Sequence, residues 1–108
     1  MHREKSVRSI SPDELKRRLG SGTVPYLLDV REPEELLGGS IAGSVNIPMG
    51  EVEGRLHELP TDREIVVICH VGARSAEVTR RLGALGYDQA VNLSGGMEAW
   101  LAGESRLL

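Results

Sequence analysis

Short apolar runs alternate along the chain with segments in which apolar residues recur every three or four positions. The runs predict strands, and the recurring positions predict helices that bury one face. Predicted strands lie at 6–10, 24–30, 44–48, 65–69 and 90–93. We expect the run at 65–69, which is rich in β-branched residues, to be the central strand. Strands that alternate with helices indicate an open α/β fold, a parallel sheet flanked by helices on both faces.

The helical segments carry signals that mark their ends. In the stretch SPDELKRRLG, Ser11 is suited to cap a helix whose first residue is Pro12, and Gly20 is suited to end it. Glu14 follows the serine by three residues and predicts a capping box. Further helical segments are predicted at 32–37, at 52–59, at 78–85 and from residue 95 onwards.

The length of 108 residues fits one domain, and we expect a single domain over 1–108 with its core at about 6–102. The longest apolar runs are far too short to span a bilayer, and the polar first ten residues lack the pattern of a signal peptide. Positive and negative residues are mixed, and the net charge is −3. We therefore expect no membrane and no nucleic-acid partner.

One cysteine, Cys69, is present, so that an internal disulfide, a redox pair of cysteines and a cysteine-based metal cluster are excluded. The three histidines, His2, His57 and His70, lie far apart without the spacing of metal ligands, and we expect no metal site. A single free thiol suits a reducing compartment, which favours a cytoplasmic location.

Cys69 stands where the predicted central strand ends and the next helix pattern begins, in the stretch VVICHVGARSAEV. In an open parallel sheet, ligands gather at the carboxyl ends of the strands. We expect Cys69 to be the last strand residue and the helix to begin near Arg74 or Ser75, which leaves HVGA to form a tight curl. Gly72 permits unusual dihedral angles in that curl, so that successive backbone N–H groups point inward.

Such a curl is suited to hold a thiolate. The inward N–H groups, the dipole of the following helix and the charge of Arg74, with His70 as a second potential cation, favour the ionised sulfur and predict a lowered pKa for the Cys69 thiol. A cradle of amides also receives an anion bonded to that sulfur. The alternative is a buried structural cysteine, the usual role of a free cysteine. The Gly, Arg and Ser that follow favour the functional interpretation.

Four stretches resemble motifs of the rhodanese family, and they follow one another in the family's order over residues 27–100. CHVGARS resembles the active-site loop, of the form C-x-x-G-x-R-S. LLDVREPEEL is similar to the first motif, with Asp29, Arg31 and Glu35 in the expected places. GGSIAGSVNIP and LSGGMEAW resemble the two remaining motifs. The resemblance implies a rhodanese-like open parallel five-stranded sheet flanked by helices.

The resemblance also implies a sulfurtransferase that carries a persulfide on Cys69. The thiolate takes the outer sulfur of a donor such as thiosulfate, sulfite leaves, and a thiophilic acceptor such as cyanide or a thiol removes the sulfur. No metal or organic cofactor is implied. The partners implied are small sulfur-containing anions, thiols or a sulfur-relay protein. The substrate-binding residues implied are the six that follow the cysteine: His70, Val71, Gly72, Ala73, Arg74 and Ser75.

The chain departs from the family pattern at a few positions. Ser40 stands where the family usually has a histidine, and Leu36 where it usually has an aromatic residue. Members that handle thiosulfate well often carry a cation just after the cysteine, whereas His70 and Val71 follow it here. The departure predicts modest affinity for a dianionic donor. A persulfide donor or a protein partner in a sulfur relay then becomes an alternative to thiosulfate.

Arg31 has two interpretations. It either steers the substrate or pairs with a carboxylate, such as Asp29 or Glu35, and supports the loops at the sheet edge. Buried arginine–carboxylate pairs commonly orient loops. We therefore assign Asp29 and Arg31 to loop support.

Other functions compete with sulfur transfer. Phosphatases and arsenate reductases of a related fold also pair cysteine with arginine, but their pattern needs one residue more than the six from Cys69 to Arg74. A binding or regulatory module without catalysis generally loses the cysteine or the arginine, and both are present. A redox-sensing thiol would have no second cysteine in this chain to resolve its oxidised form.

Overall fold

The computed structural model describes residues 7–22 and 24–105, and its strands form one parallel five-stranded sheet. The strands are β1 (Ser9–Ile10), β2 (Tyr26–Asp29), β3 (Val45–Asn46), β4 (Ile65–Ile68) and β5 (Ala90–Leu93). Their order across the sheet is β1-β5-β4-β2-β3, and every neighbouring pair is parallel. The predicted open sheet and its predicted central strand are confirmed. Residue 6, where the first strand was expected to begin, lies outside the described residues.

The described residues also form three α-helices and three short 3₁₀ segments, and all but the last helix lie between strands. The helices are α1 (Pro12–Gly20), α2 (Ala73–Ala84) and α3 (Gly96–Ser105), and the 3₁₀ segments are Pro33–Gly38, Met49–Glu51 and Glu53–Glu58. The segments expected as helices at 32–37 and 52–59 are therefore 3₁₀ turns. The first begins at Pro33 and ends at Gly38, which Gly39 follows. The second is interrupted at Arg55, whose φ of −128° is not helical.

Helix α1 begins and ends where its sequence predicts. The side chain of Ser11 accepts a hydrogen bond from the backbone N–H of Glu14 at 3.1 Å, which satisfies one of the free donors of the first turn. The predicted capping box is wrong, because the carboxylate of Glu14 instead accepts hydrogen bonds from Arg17 and Arg18 one turn later. Gly20 is the last helical residue.

Helices cover both faces of the sheet, as predicted, because the side chains of each buried strand alternate between two cores. In β4, Ile65 and Val67 join one core, and Val66 and Ile68 join the other. The first core is completed by α2, with Val78 and Leu82, and the second by α1 and α3, with Leu15, Met97 and Trp100. Leu85, the last residue of the segment predicted as a helix at 78–85, lies one position beyond α2 and is exposed.

The sheet brings the ends of β2 and β4 together at one edge. Asp29 pairs with Ile68 in the parallel register, so that the residues following each strand are neighbours. Arg31 follows β2 and Cys69 follows β4, so that both lie at the edge where ligands gather in such folds. In the described parts of the chain, no helix has both the length and the apolar character needed to cross a membrane.

Candidate active site

Cys69 is the first residue beyond β4, which ends at Ile68, and not the last residue of the strand as predicted. Its side chain is buried, with 1% of the residue exposed. The start of α3 holds the backbone on either side of the sulfur. The N–H of Met97 donates to the carbonyl of Cys69 at 2.8 Å, and the N–H of Glu98 donates to that of His70 at 2.9 Å.

A close approach of two backbones makes this anchoring possible. Gly96 has a φ of +58°, and a Cβ atom there would lie 2.4 Å from the carbonyl oxygen of Cys69. Only glycine combines that conformation with that contact. The cysteine loop and the first turn of α3 therefore form one packed unit.

The loop after the cysteine is the tight curl that the sequence predicts, and it is one residue shorter than expected. Gly72 caps α2 with a φ of +98°, in the left-handed region, and the helix begins at Ala73. Val71 forms an exposed tip of the loop. The exposed imidazole of His70 lies near α3, with its Nε2 3.7 Å from Oε2 of Glu98.

Two backbone donors and one side-chain hydroxyl surround the sulfur of Cys69. The backbone N–H groups of Gly72 and Ser75 donate to Sγ at 3.1 and 3.3 Å, and the hydroxyl Oγ of Ser75 lies 3.2 Å from it. Donors at these distances stabilise negative charge on sulfur. The curl therefore has the geometry of an anion receptor with the sulfur at its centre.

Opposing effects set the acidity of the thiol. Burial raises the pKa of Cys69, whereas hydrogen bonding with Ser75 and with the backbone N–H groups of Gly72 and Arg74 lowers it. The net result is a pKa below the ordinary value, in the predicted direction. The lowering comes from hydrogen bonds, whereas the sequence analysis also invoked the side-chain charges of Arg74 and His70.

The guanidinium of Arg74 is engaged by a carboxylate. Its two terminal nitrogens donate to the two carboxylate oxygens of Glu35, each at 2.7 Å, in the bidentate geometry that arginine favours. The Arg74 guanidinium, together with the N–H of Glu32, holds the pKa of the Glu35 carboxyl at about 2. Both side chains are about one third exposed, so that the positive charge is partly balanced but remains accessible.

Arg31 lies deeper at the same edge. It donates from Nε and a terminal nitrogen to the carboxylate of Asp29, and its remaining contacts are with the carbonyls of Glu35 and Gly39. The amide of Asn46, from β3, donates to the carbonyls of Asp29 and Arg31. The expected pairing of Arg31 with Asp29 is therefore present. The alternative carboxylate, Glu35, contributes only its backbone to Arg31.

Among the contacts that sequence reasoning missed, two involve the side chains of the residues that follow the cysteine loop. One is the pair that Glu35 forms with Arg74, 39 positions away. The other is the hydrogen bond that the Ser75 hydroxyl donates to Oδ1 of Asn92 at 2.5 Å. The only local signal of the second contact is that Asn92 is a polar residue within the apolar run of β5. Within the described residues, no group of three or more potential metal ligands comes together.

The chain was compared with known proteins. A family model described as "Rhodanese-like domain" matches residues 11–103. The chain is 40% identical over 95 residues to the putative sulfur carrier protein YrkF of Bacillus subtilis; the match covers 88% of this chain and about half, 51%, of that protein. It is 34% identical over 111 residues to the human thiosulfate:glutathione sulfurtransferase, and this match covers 90% of the chain and 96% of that protein.

A solved structure has the same architecture. The rhodanese-related protein from Thermoplasma volcanium is 39% identical and superposes with a TM-score of 0.80, covering 88% of this chain and 91% of that chain. The family match includes the cysteine loop, both arginines of the sheet edge and all three helices except the end of α3. The chain therefore belongs to the family of rhodanese-like domains.

Proposed function

We propose that the chain is a cytoplasmic sulfurtransferase that moves a sulfane sulfur from a donor to a thiophilic acceptor through a persulfide on Cys69. The observation that carries the proposal is the pair of backbone N–H donors, from Gly72 and Ser75, within 3.3 Å of Sγ. These donors favour the thiolate, which is the nucleophilic form of cysteine. The names of two relatives, a putative sulfur carrier and a thiosulfate:glutathione sulfurtransferase, support transfer of sulfur as the reaction.

The reaction has two halves. In the first, the thiolate of Cys69 attacks the outer sulfur of the donor. With thiosulfate, the bond between the two sulfur atoms breaks and sulfite leaves with the bonding electrons. In the second half, the thiolate of the acceptor attacks the outer sulfur of the persulfide, and the Cys69 thiolate is released. Each half exchanges one sulfur–sulfur bond for another, or for a sulfur–carbon bond when cyanide is the acceptor, so that no oxidant or reductant is needed.

The roles of the site residues follow from their positions. Gly72 and Ser75 already donate to Sγ, and we assign them to the thiolate and to the persulfide. The remaining loop residues assigned to substrate binding are His70, Val71, Ala73 and Arg74. Asp29 and Arg31 form a buried pair that supports the edge on which the loop rests.

The charge balance of the site favours a donor of low charge. The Arg74 charge is balanced by Glu35, and the exposed His70 lies beside the carboxylate of Glu98. A dianion such as thiosulfate therefore meets little uncompensated positive charge. A low-molecular-weight persulfide, or a persulfide on a sulfur-relay protein, carries less charge to be compensated. We propose this class as the physiological donor and a thiol as the acceptor.

The test is intact-mass analysis of the whole chain after incubation with thiosulfate, and separately with glutathione persulfide. We expect the mass of one added sulfur atom, lost on treatment with cyanide. Cys69→Ala is the matched control and should gain no sulfur. Faster loading from the persulfide would support the donor class proposed here. The proposal would be overturned by a wild-type chain that gains no sulfur from either donor, or by equal gain in the Cys69→Ala variant.

A further inference from the structure

Asn92 is a buried polar side chain in an apolar setting. It lies in the middle of β5 and is 7% exposed. On the same face of the sheet, its neighbours Ala90 and Val67 belong to the apolar core beneath α2. Burial of an amide is unfavourable unless its polar atoms find partners. An apolar residue at this position would lower the free energy of the folded state, so that the presence of an amide indicates a specific role.

The partner of the amide is the residue that also contacts the reactive sulfur. Ser75 donates its hydroxyl proton to Oδ1 of Asn92 at 2.5 Å, and the same Oγ lies 3.2 Å from Sγ of Cys69. A hydroxyl has one proton to donate and can accept two hydrogen bonds. While Asn92 takes the proton, Ser75 can only accept from a Cys69 thiol. It cannot donate to a thiolate at the same time.

We propose that Asn92 is a positioning residue that withholds the Ser75 hydroxyl proton from the Cys69 sulfur and so limits the ionisation of the thiol. Asn92 acts through Ser75, whereas the backbone N–H groups of Gly72 and Ser75 still reach the sulfur. When the thiol ionises, its own proton leaves to solvent. Ser75 keeps its proton in either state. The proposal concerns only whether its O–H bond points to Asn92 or to the Cys69 sulfur.

Such a restraint has a chemical use. The nucleophilicity of a thiolate falls as the pKa of its thiol falls, and the best attacking thiol has a pKa near the ambient pH. A sulfur that accepted hydrogen bonds from two amides and a hydroxyl would be well ionised but less reactive. It would also be more exposed to oxidation as a thiolate. This explanation rests on the proposed role of Cys69 as the nucleophile, but the positions of Asn92 and Ser75 do not.

Charged groups on neighbouring elements lie at the same edge of the sheet as the thiol. At this edge they form three pairs: Arg74 with Glu35, His70 with Glu98, and Arg31 with Asp29. These pairs involve the segments after β2, the cysteine loop and the starts of α2 and α3. A neutral substitution at Asn92, in β5, leaves all six charges in place. A change in the titration of Cys69 then reports a change in the direction of the Ser75 O–H bond.

The experiment measures the rate of alkylation of Cys69 by iodoacetamide against pH, in the whole chain and without any sulfur donor. In Asn92→Leu, which is close in size to asparagine, the Ser75 proton is free to turn to Sγ. We expect the midpoint of the alkylation profile to fall by about one pH unit, since hydrogen bonds to charged groups are of that strength. In Asn92→Asp, a stronger acceptor holds the proton and adds negative charge, and the midpoint should rise.

The matched control is the same substitution in a Ser75→Ala background. There Asn92→Leu should leave the midpoint unchanged, because the proton that Asn92 withholds is gone. A loss of structure around the loop would raise the midpoint in both backgrounds, which is the opposite sign. The proposal is overturned if Asn92→Leu raises the midpoint, leaves it unchanged, or lowers it equally in both backgrounds. None of these outcomes depends on sulfur transfer, so that they are distinct from a failure of the proposed function.

Discussion

Two arginines stand at the same edge of the sheet, and each is bound to a carboxylate. Arg31 follows β2, has 4% of its side chain exposed and pairs with the buried Asp29. Arg74 lies in the first turn of α2, has 36% of its side chain exposed and pairs with Glu35. The same chemical pair therefore occurs once inside the protein and once beside the reactive sulfur.

The difference teaches how the surroundings of a pair decide its role. The guanidinium of Arg31 is surrounded by Asp29 and by two backbone carbonyls, so that its donors are used within the fold. The guanidinium of Arg74 is bound by one carboxylate and is open to solvent on its other side. A buried pair with its hydrogen bonds satisfied holds loops in place, and an accessible pair can exchange its partner for an anionic ligand.

Glu35 links the two arginines. Its backbone carbonyl accepts from Arg31, and its carboxylate accepts from Arg74 and from the N–H of Glu32. The buried arginine therefore helps to place the segment that carries the partner of the accessible arginine. A change at Arg31 is expected to disturb both pairs, whereas a change at Arg74 disturbs one.

The largest expected effect is that of Arg31→Ala on stability. The substitution leaves the carboxylate of Asp29 buried without its cation, which costs about 3–5 kcal/mol of the free energy of unfolding. Urea denaturation followed by circular dichroism measures this loss. Arg31→Lys keeps the charge but not the two-pronged geometry, and its loss should be intermediate.

Arg74→Ala is the control for this comparison. Because its pair is accessible to solvent, its removal should lower the free energy of unfolding by about 1 kcal/mol or less. Equal losses in Arg31→Ala and Arg74→Ala would show that depth in the fold does not distinguish the two pairs.

Arg74→Ala is expected to act on sulfur loading instead. Loss of one charge-assisted contact to an anionic donor, about 1.4 kcal/mol, slows loading from thiosulfate about tenfold. The time course of sulfur addition to Cys69, followed by intact mass, measures this rate. Arg74→Lys should retain part of it as a point charge. Loading at the wild-type rate in Arg74→Ala would place Arg74 with Arg31 in a supporting role.

The same variant separates charge from hydrogen bonding at the sulfur. Because Glu35 balances the guanidinium, Arg74→Ala should raise the pKa of the Cys69 thiol by less than Asn92→Leu lowers it, since the second substitution frees a direct hydrogen-bond donor to the sulfur. The midpoint of alkylation against pH compares the two variants. A rise in Arg74→Ala that exceeds the fall in Asn92→Leu would show that the charge of Arg74 lowers the pKa of the thiol, as the sequence analysis expected.

The comparison also shows where sequence reasoning reaches its limit. The period of the apolar residues predicted the five strands, and the rule for open sheets placed Cys69 at the working edge. Local sequence patterns predict no more of the site than this. The partners of Arg74 and of Ser75 lie 39 and 17 positions away. They are set by how β5 and the segment after β2 pack against the start of α2, and no local pattern encodes those contacts. The partner of Arg31 was easier to predict because Asp29 is only two positions away.

The smallest expected effect is that of Glu35→Gln, and its sign is opposite to that of Arg74→Ala. The glutamine removes the charge that balances Arg74, so that a dianionic donor meets an unopposed guanidinium. An exposed pair contributes at most about 1 kcal/mol, which limits the gain in loading from thiosulfate to about fivefold. Glu34→Gln, an exposed neighbour in the same segment, is the matched control and should leave loading unchanged.

Acid titration sharpens this last prediction. The pKa of Glu35 is lowered to about 2 from an ordinary value of 4.5, so that its pair stabilises the fold fully above pH 4.5. That contribution is lost as the pH falls towards 2, where the folded carboxyl takes up its proton. The difference in the free energy of unfolding between wild type and Glu35→Gln should therefore be small, below about 1 kcal/mol because solvent screens the pair, and should vanish near pH 2. A difference that persisted at pH 2 would mean that Glu35 acts through its backbone and packing rather than its charge.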